Sequence, residues 1–510
     1  MVVEEVRKRK GVLYVGYLDL EKAFDNVNRE DLFEIMRDIN VNNSVVKVFE
    51  SMYADNELKL CLGNVETEWM KNNKGVKQGC PGSTVLFDYF IDELLKRVKG
   101  TGIGVRIQDL ILSVLGFADD TMLLAETAED MQRLLNVAER YANERGMKFN
   151  ASKCKIMIFG DACDYGWTIG NNVLEVVSEY KYLGMTICNK SDIFEKHKRE
   201  KELGMLRMIG MLNVVAAKCG NKYKIIRELW KGVGVPRSLY GYEVCKATKN
   251  ELDRMERIQN KVARLALGAN SFVATEALRG EMGWSTYEER VSKAKINYKV
   301  KLSTVSGLNE RNWAGYVFRV CDKSVWHKEV KRIERKYNMQ NVYESQNVKS
   351  CVKKKIREKG QQVWENGMNR KSTLNVYKNK KNPCVEEFYV SDWRSKLLFK
   401  ARTGSLEVNG RTYRWSDKSE FCECCTSREK ETIEHMILSC EGHENERNVL
   451  FERMKGIIGE EKWNEVESRD DNGLTVILGF ECDDDDLNSN RLNIANAMKD
   501  FLKNVWSKRD

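Results

Sequence analysis

The segment Leu110–Glu126, LILSVLGFADDTMLLAE, places two adjacent aspartates inside an otherwise apolar run. Leu110–Phe117 is rich in Leu, Ile and Val and predicts a buried strand, Thr121–Ala125 predicts the returning strand, and Asp119 and Asp120 fall at the turn. Neighbouring carboxylates in apolar surroundings repel each other and lose hydration, so a bound divalent cation would stabilise them. An ordinary acidic turn is the alternative interpretation.

Composition and charge limit the classes of protein to which the chain can belong. The chain has 510 residues, of which 42% are hydrophobic and 32% charged, and this predicts a folded protein of several domains with broad solvated faces. Because it contains only three prolines, most of it can be helical. The net charge is +9, yet Lys323–Lys381 alone holds 17 Lys and Arg against 5 Glu. The basic excess is therefore local.

Targeting signals are missing from the sequence. No apolar stretch reaches the roughly 18 residues of a membrane helix, and the first ten residues, MVVEEVRKRK, have no apolar centre of a signal peptide. We therefore expect an intracellular protein, nuclear or cytoplasmic, that is neither secreted nor bound to a membrane. In such a reducing compartment most of the 15 cysteines are expected to be free thiols.

Segments before the aspartate pair carry further candidate residues. Gly11–Leu20 predicts a strand that ends near Asp19, followed by a helix that Asn28 can cap. Gly75–Ser83, GVKQGCPGS, predicts a glycine-rich loop that leads into an apolar helix over Val85–Val98. Such a loop lets a ligand approach the backbone closely at the start of a helix.

The elements after the aspartate pair alternate in type. Ala128–Arg145 predicts an amphipathic helix, which Gly146 is placed to end. A polar turn with Lys153 and a strand ending near Gly160 follow, and Tyr180–Gly184 predicts a second hairpin.

This order of elements resembles the palm of the reverse transcriptases encoded by non-LTR retrotransposons of the LINE type. The resemblance covers Tyr14–Thr186 and rests on five motifs, A to E: YLDLEKAFDNV, GVKQGCPGS, FADD, GMKFNASKCKI and EYKYLGM. It implies an α+β fold with an RRM-like antiparallel palm sheet and helices, followed by a mostly helical thumb. It also implies the activity of an RNA-directed DNA polymerase.

The resemblance implies catalytic roles, carried over motif by motif. Asp19, Asp119 and Asp120 would hold two Mg²⁺ ions, which activate a 3′-hydroxyl and stabilise the leaving pyrophosphate. Lys153 matches the motif D lysine that would protonate the pyrophosphate. For Lys153, a solvated surface lysine is the alternative.

The resemblance implies substrate contacts as well. Phe24 would exclude a 2′-hydroxyl, Ala118 would lie under the primer terminus, and Gln78 and Gly79 would support the incoming nucleotide and the template. The partners expected on this basis are an RNA template, a DNA primer and deoxynucleoside triphosphates.

Two features depart from the family pattern. In motif B, Ser83 is followed by Thr84, where the family usually has Ser-Pro. Only 18 residues precede Asp19, too few for the fingers region that clamps the triphosphate. We therefore expect a chain truncated at its N-terminus, lacking most of the fingers and of doubtful polymerase activity. The alternative function is that of a noncatalytic nucleic-acid-binding remnant.

The basic segment Lys323–Lys381 also contains aromatic residues. Cationic side chains contact phosphates, and interleaved rings can stack on bases, so we expect this segment to bind nucleic acid. A solvated helical surface is the alternative. The aromatic residues concerned are Tyr337, Tyr343, Trp364 and Tyr377.

A cysteine-histidine cluster follows in FCECCTSREKETIEHMILSC. Its spacing suits a tetrahedral, structural Zn²⁺ site, and it resembles the segment near the C-terminus of LINE-type proteins, introduced here by Arg402, Thr403 and Gly404. Cys424 could replace a neighbouring ligand, His443 could replace His435, and incidental reduced cysteines are the alternative. The four expected zinc ligands are Cys422, Cys425, His435 and Cys440.

These interpretations divide the chain into four parts. They are a reverse transcriptase palm with partial fingers over 1–175, a motif E hairpin and helical thumb over 176–305, a basic helical region over 306–400, and a region with a zinc-knuckle-like segment over 401–510.

Overall fold

The computed structural model describes residues 1–162, 165–218, 221–304, 313–340, 342–414, 416–417, 419–468 and 473–508. The chain forms two compact units, of which the first comprises Met1–Arg199 and Val305–Lys328, and the second Glu200–Thr304 and Glu329–Asp510. The boundary predicted at residue 305 lies outside the described residues, and the four-part division stays a prediction. None of the helices described is long and apolar enough to cross a membrane.

Helices and strands are both abundant among the described residues, so the mixed architecture expected from the sequence is confirmed. The helices are α1 Val2–Lys8, α2 Arg29–Asp38, α3 Asn43–Tyr53, α4 Pro81–Gly100, α5 Ala128–Glu144, α6 Glu195–Ala217, α7 Lys222–Leu229, α8 Val235–Leu239, α9 Lys249–Leu267, α10 Thr275–Met282, α11 Tyr287–Thr304, α12 Trp313–Val320, α13 Val325–Lys336, α14 Val348–Asn369, α15 Trp393–Arg402, α16 Asn409–Thr412, α17 Glu444–Ile458, α18 Glu460–Glu467, α19 Gly473–Ile477, α20 Asp485–Ser489 and α21 Arg491–Trp506. The strands are β1 Leu13–Leu18, β2 Glu57–Leu58, β3 Cys61–Leu62, β4 Val65–Glu66, β5 Met70–Lys71, β6 Val105–Ile107, β7 Leu110–Leu112, β8 Val114–Phe117, β9 Asp120–Ala125, β10 Lys155–Phe159, β11 Thr168–Ile169, β12 Asn172–Val173, β13 Glu175–Val176, β14 Glu179–Tyr182 and β15 Met185–Cys188.

The first unit is built on a five-stranded sheet in the order β13-β10-β1-β9-β8. Strand β1 lies at its centre and pairs antiparallel with β10 and β9. All six residues of β1 are buried. Because successive side chains point to opposite faces, Tyr14 and Leu18 pack into a core with α4 and α5, whereas Leu13, Val15 and Tyr17 pack into a second core on the other face.

The prediction of one continuous strand over Leu110–Phe117 is wrong, because this segment forms two strands, β7 and β8. Strand β7 pairs with β6, and β8 pairs with β9, so two hairpins meet at Ser113. Ala118 adopts φ 50° and forms the turn of the second hairpin with Asp119, while Asp120 is already the first residue of β9. A two-residue turn that matches the strand twist needs positive φ, and this moves the turn one residue earlier than predicted.

Local chemistry sets several element ends as expected. The Asn28 side chain caps α2 by accepting from the Glu30 and Asp31 amides, and Gly146 has φ 63° just after α5. Helix α4 begins earlier than predicted, at Pro81, because proline suits the first turn of a helix. The hairpin predicted around Tyr180 is present as β14 and β15.

The second unit is helical and packs around one large core. The apolar positions of α9, among them Leu252 and Met255, are buried in this core. Of the four aromatic residues expected to stack on bases, Tyr337, Trp364 and Tyr377 are at most 4% exposed. That expectation is wrong for these three, because all three side chains are buried, Trp364 and Tyr377 within the core.

A cluster of charged side chains is buried in the second unit. Arg402 Nη2 lies 3.0 Å from Glu281 Oε1 and 2.9 Å from Glu386 Oε1, and its guanidinium carbon lies 3.9 Å from the centre of the Phe480 ring. Lys380 pairs with the same two carboxylates. Arg402 and Glu281 are fully buried, so water does not screen this ion pair, which connects α10 with α15.

We predict that Glu281→Gln destabilises the chain by about 3–5 kcal/mol, because it leaves buried positive charge without its partner. Although burial opposes ionisation, the charges of Arg402 and Lys380 lower the pKa of Glu281 to about 2, below its ordinary 4.5. The stabilisation is therefore complete above pH 4.5 and lost as the pH falls towards 2.

Urea unfolding at pH 7 and pH 3 measures this effect. Glu452→Gln, at a glutamate that is 71% exposed in its ion pair with Lys455, is the control and should change stability by less than about 0.5 kcal/mol. Equal effects of the two substitutions would contradict the prediction.

Candidate functional site

Asp19 lies where the central strand of the first unit ends. Leu18 of β1 is paired with Thr121 of β9, and the two strands are antiparallel. Asp19, which follows Leu18, and Asp120, which precedes Thr121, therefore lie next to each other at the same end of the sheet. The backbone of Asp19 is held by the segment before β10: the Asn150 amide donates to the Asp19 carbonyl at 2.8 Å. The Asp19 amide lies 3.4 Å from the buried thiol of Cys154. These contacts fix the point at which the Asp19 side chain leaves the sheet.

Four of the predicted catalytic side chains come together here. Lys153 Nζ lies 3.2 Å from Asp19 Oδ2. Burial, and then the charges of Asp119 and Asp19, raise the pKa of Asp120. Lys153 thus pairs with Asp19, and the charges of Asp19 and Asp119 both act on Asp120. An all-oxygen donor set of this kind suits a hard divalent cation. In contrast to a preformed metal site, the carboxylate oxygens of Asp19, Asp119 and Asp120 do not all lie within 4.8 Å of one another.

Two tyrosines of β14 complete this end of the sheet. The Tyr180 ring stacks on Tyr17 with centroids 4.1 Å apart, and its hydroxyl donates to the Lys153 carbonyl at 3.4 Å. The Tyr182 hydroxyl donates to the Asp120 carbonyl at 3.4 Å. Burial, and then the charge of Asp19, raises the pKa of Tyr180 to about 12, so it stays protonated at neutral pH. The sequence predicted this hairpin but not its contacts, although the alternation in EYKY places both rings on one face.

The residues expected to contact the nucleotide form a second group. The Phe24 ring stacks on Phe87 at 4.6 Å between centroids. The Gln78 side-chain amide donates to Asp25 Oδ1 at 3.0 Å, which joins the glycine-rich loop to the turn that carries Phe24. Gly79 has φ 83°, and a Cβ added there would meet no atom within 4 Å. The loop backbone is therefore open to a ligand at Gly79.

Arg29 organises the same loop and was missed in the sequence. Its side chain is buried and donates to four backbone carbonyls, and its guanidinium carbon lies 5.0 Å from the centre of the Tyr53 ring. No local pattern could reveal this role, because the partners are 24 to 46 residues away. The acceptors are the carbonyls of Tyr53 at 3.3 Å, Asn72 at 2.6 Å, Lys74 at 3.1 Å and Gly75 at 2.9 Å.

The four expected zinc ligands form a candidate metal centre in the second unit. Their ligand atoms all lie within 4.8 Å of one another. Cys422 Sγ is 3.7 Å from Cys440 Sγ, and Cys425 Sγ is 3.4 Å from His435 Nε2. His435 Nδ1 lies 2.7 Å from a Glu429 carboxylate oxygen, which orients the imidazole so that Nε2 faces the sulfurs.

The alternative ligands differ in their surroundings. Cys424 is exposed and belongs to a second group with Cys422 and Glu431. His443 is buried outside both groups, so the structure does not support its replacing His435. Burial opposes ionisation of Cys425, yet hydrogen bonds from Ser427 and His435 lower the pKa of that thiol to about 7. A thiol that ionises near neutral pH is ready to bind a metal ion.

Comparison with known proteins identifies relatives over part of the chain. Residues 2–187 match the family model described as reverse transcriptase (RNA-dependent DNA polymerase). A retrovirus-related Pol polyprotein from the type-1 retrotransposable element R2 of Popillia japonica is 25% identical over 325 residues, which are 61% of this chain and 52% of that protein. Its counterpart in Nasonia vitripennis is 27% identical over 197 residues, 36% of this chain and 19% of that protein.

The Pol polyprotein from the type-2 element R2DM of Drosophila melanogaster is 30% identical over 154 residues, 30% of this chain and 14% of that protein. The chain thus spans about half the length of the Popillia relative and less of the other two. A solved structure of apo telomerase from Candida tropicalis is similar to this chain with a TM-score of 0.28 and 16% sequence identity. The similarity covers 36% of this chain and 35% of the telomerase chain.

We predict that Arg29→Met loosens the glycine-rich loop. The Gly75 and Val76 amides donate to the Val27 and Phe24 carbonyls, and their hydrogen exchange should accelerate about 10-fold once the loop carbonyls lose their donor. Exchange followed by mass spectrometry measures the effect. Arg37→Met, which removes an exposed arginine from the same helix, should leave this exchange unchanged. Equal acceleration in both variants would contradict the role of Arg29.

Proposed function

We propose that this chain, which carries the reverse transcriptase domain of an R2-type non-LTR retrotransposon over residues 2–187, adds deoxynucleotides to a DNA 3′ end on an RNA template. The observation that carries the proposal is the position of Asp19 and Asp120 at the ends of paired strands, with Asp119 and Lys153 beside them. Strands β10, β1, β9 and β8 would form the palm, and helices α6 to α11 the thumb.

Asp19, Asp119 and Asp120 would hold two Mg²⁺ ions in this proposal. When bound, such ions activate the 3′-hydroxyl and stabilise the leaving pyrophosphate. The ammonium group of Lys153, now 3.2 Å from Asp19 Oδ2, lies at the edge of the carboxylate cluster and would give a proton to the pyrophosphate. The tyrosine contacts to the Lys153 and Asp120 carbonyls would keep both backbones in place during this step.

Phe24 would select deoxynucleotides in the same site. Its ring is fixed by stacking on Phe87 and by the Val76 amide, which donates to the Phe24 carbonyl at 2.8 Å, so it is a rigid wall against a 2′-hydroxyl. Gln78 and Gly79 would support the nucleotide and template from the adjoining loop. Ala118, at the turn before Asp119, would lie under the primer terminus.

A second candidate function is noncatalytic binding of nucleic acid. Helix α14 supports it, because several of its cations are exposed and form no ion pair among the residues that the structure describes. Cations placed in this way contact phosphates without reading sequence. The side chains concerned are Lys349, Lys353, Lys354 and Arg357.

The Cys422, Cys425, His435 and Cys440 cluster would hold a structural Zn²⁺ ion. Three sulfurs and one imidazole nitrogen suit the tetrahedral preference of Zn²⁺, and four protein ligands leave no open position for a substrate. The Glu429 carboxylate at His435 is the kind of outer contact that zinc-binding histidines have.

Primer extension tests the polymerase proposal. We predict that the chain extends a DNA primer on an RNA template with Mg²⁺ and labelled deoxynucleotides, and that Asp119→Asn lowers the rate by about 10²-fold or more. The matched control is Asp109→Asn, at the exposed turn of the neighbouring hairpin β6–β7, which should keep the full rate.

The two candidate functions give different results in this assay. Salt-sensitive binding of template-primer without extension by any variant would overturn the polymerase and support the noncatalytic function. Extension that is equal in the chain and in Asp119→Asn would contradict the assigned role of Asp119.

We predict that Cys425→Ser abolishes stoichiometric zinc and lowers the melting temperature, because a serine hydroxyl is a poor zinc ligand. Cys424→Ser, one residue away at an exposed thiol, should retain both the metal and the stability. Metal analysis of the purified proteins and thermal unfolding with and without a chelator measure the two effects. Zinc retained by Cys425→Ser and lost by Cys424→Ser would assign the site to the second cysteine group.

A further inference from the structure

A cavity of about 400 Å³ opens in the second unit, away from the carboxylate cluster and the candidate metal centre. It is bounded by α9, the start of α11, the end of α13 and the middle of α14. This volume lies within the range of small-molecule sites in proteins. Most of its lining side chains are charged, so the chemistry of a ligand is set by the balance of charges that the protein leaves unpaired.

The inner carboxylates of the cavity already have partners. Glu289 accepts from Arg279 Nη2 at 2.6 Å and from the Thr286 amide at 3.2 Å. Glu256 accepts from the Tyr287 amide at 2.8 Å and from the Gln259 side chain at 3.1 Å. The N-terminus of α11 is thus capped by the protein itself, and these groups neither need nor attract a ligand cation.

Gly360 lets α14 close the wall beside this pair. A Cβ on Gly360 would collide with the Glu289 carboxylate and would come within 3.2 Å of Arg279 Nη2. Because α14 carries a glycine there, the Arg279–Glu289 pair fits inside the wall, and Lys359 lines the cavity from the next position of the helix.

The rim of the cavity carries the unpaired charge. Lys336 is paired with Glu288, whereas Lys249, Arg332 and Lys359 form no ion pair among the residues the structure describes. Asp253 is the rim carboxylate that is likewise unpaired within those ranges. The rim therefore has a surplus of two positive charges, and the Glu256 carboxylate further inside, whose hydrogen-bond donors are neutral, lowers the surplus of the whole lining to one. A surplus of this sign suits an anion such as a phosphate group.

We propose that this cavity binds a phosphate monoester of nucleotide size, either a free nucleoside monophosphate or the 5′-phosphorylated end of a nucleic acid strand. Arg332, with its planar fork of donors, holds two phosphate oxygens, and Lys249 and Lys359 neutralise the remaining charge. Asp253 opposes binding.

Binding to the full chain tests this proposal. The probes are adenosine 5′-monophosphate, adenosine, and a short single-stranded DNA with either a 5′-phosphate or a 5′-hydroxyl, titrated by calorimetry. We expect Arg332→Gln and Lys359→Gln each to weaken binding of the phosphorylated probes about 10-fold, the worth of one charge-assisted contact. Asp253→Asn should tighten it, because the substitution removes the opposing charge without changing the shape of the side chain.

Lys503→Gln is the matched control, because Lys503 is an exposed cation of α21 that does not line the cavity. It should leave the affinity for adenosine 5′-monophosphate and the preference for a 5′-phosphate unchanged. Binding of the monophosphate identifies a free nucleotide as the ligand, and preference for the phosphorylated strand alone identifies a strand end.

The opposite signs expected for Arg332→Gln and Asp253→Asn separate a site from general charge attraction. The proposal is overturned if neither phosphorylated probe binds, if adenosine and the 5′-hydroxyl strand bind as well as the phosphorylated probes, or if Lys503→Gln weakens binding as much as Arg332→Gln. None of these outcomes depends on polymerase activity, which the Asp119→Asn assay tests separately.

Discussion

The pairing of β1 with β9 is the constraint on which the first unit depends. Every residue of β1 is buried, and its two faces supply two different cores, so a shift of one residue would exchange the side chains of those cores. The same register places the carboxylates, because the pairing of Leu18 with Thr121 brings Asp19 and Asp120 to adjacent positions at one end of these two strands. Packing energy thus holds together carboxylates that repel each other.

A buried arginine connects distant segments of the chain in each of the two units, but the groups that accept its hydrogen bonds differ. Arg29 in the first unit donates to neutral carbonyls at the end of α3 and at residues 72–75, whereas Arg402 in the second unit is neutralised by Glu281 and Glu386. A guanidinium group suits both roles, because its five donors lie in one plane and can reach several segments at once. In each case the arginine joins segments that are far apart in sequence.

What the sequence could predict follows from how local each signal is. The cap at Asn28, the helix end at Gly146 and the hairpin at Tyr180 depend on neighbouring residues, and they were predicted. The CCHC group was predicted because short loops with fixed spacing bring the ligands together. The role of Arg29 and the burial of Trp364 depend on partners many residues away, the Trp364 ring nitrogen donating to the Glu276 carbonyl, so no local pattern contains them.

The two candidate metal centres differ in how far the protein alone assembles them. At the CCHC group, hydrogen bonds to Cys425 and the carboxylate on His435 orient the ligands. Burial raises the pKa of the Cys422 and Cys440 thiols, so these two approach each other without electrostatic cost. Asp19, Asp119 and Asp120 carry like charges, so they stay apart unless a cation lies between them, and Lys153 pairs with only one of them. Rigid loops can therefore form the sulfur site in advance. The carboxylate cluster instead needs a strong sheet, because the packing of β1 and β9 opposes the repulsion between Asp19 and Asp120.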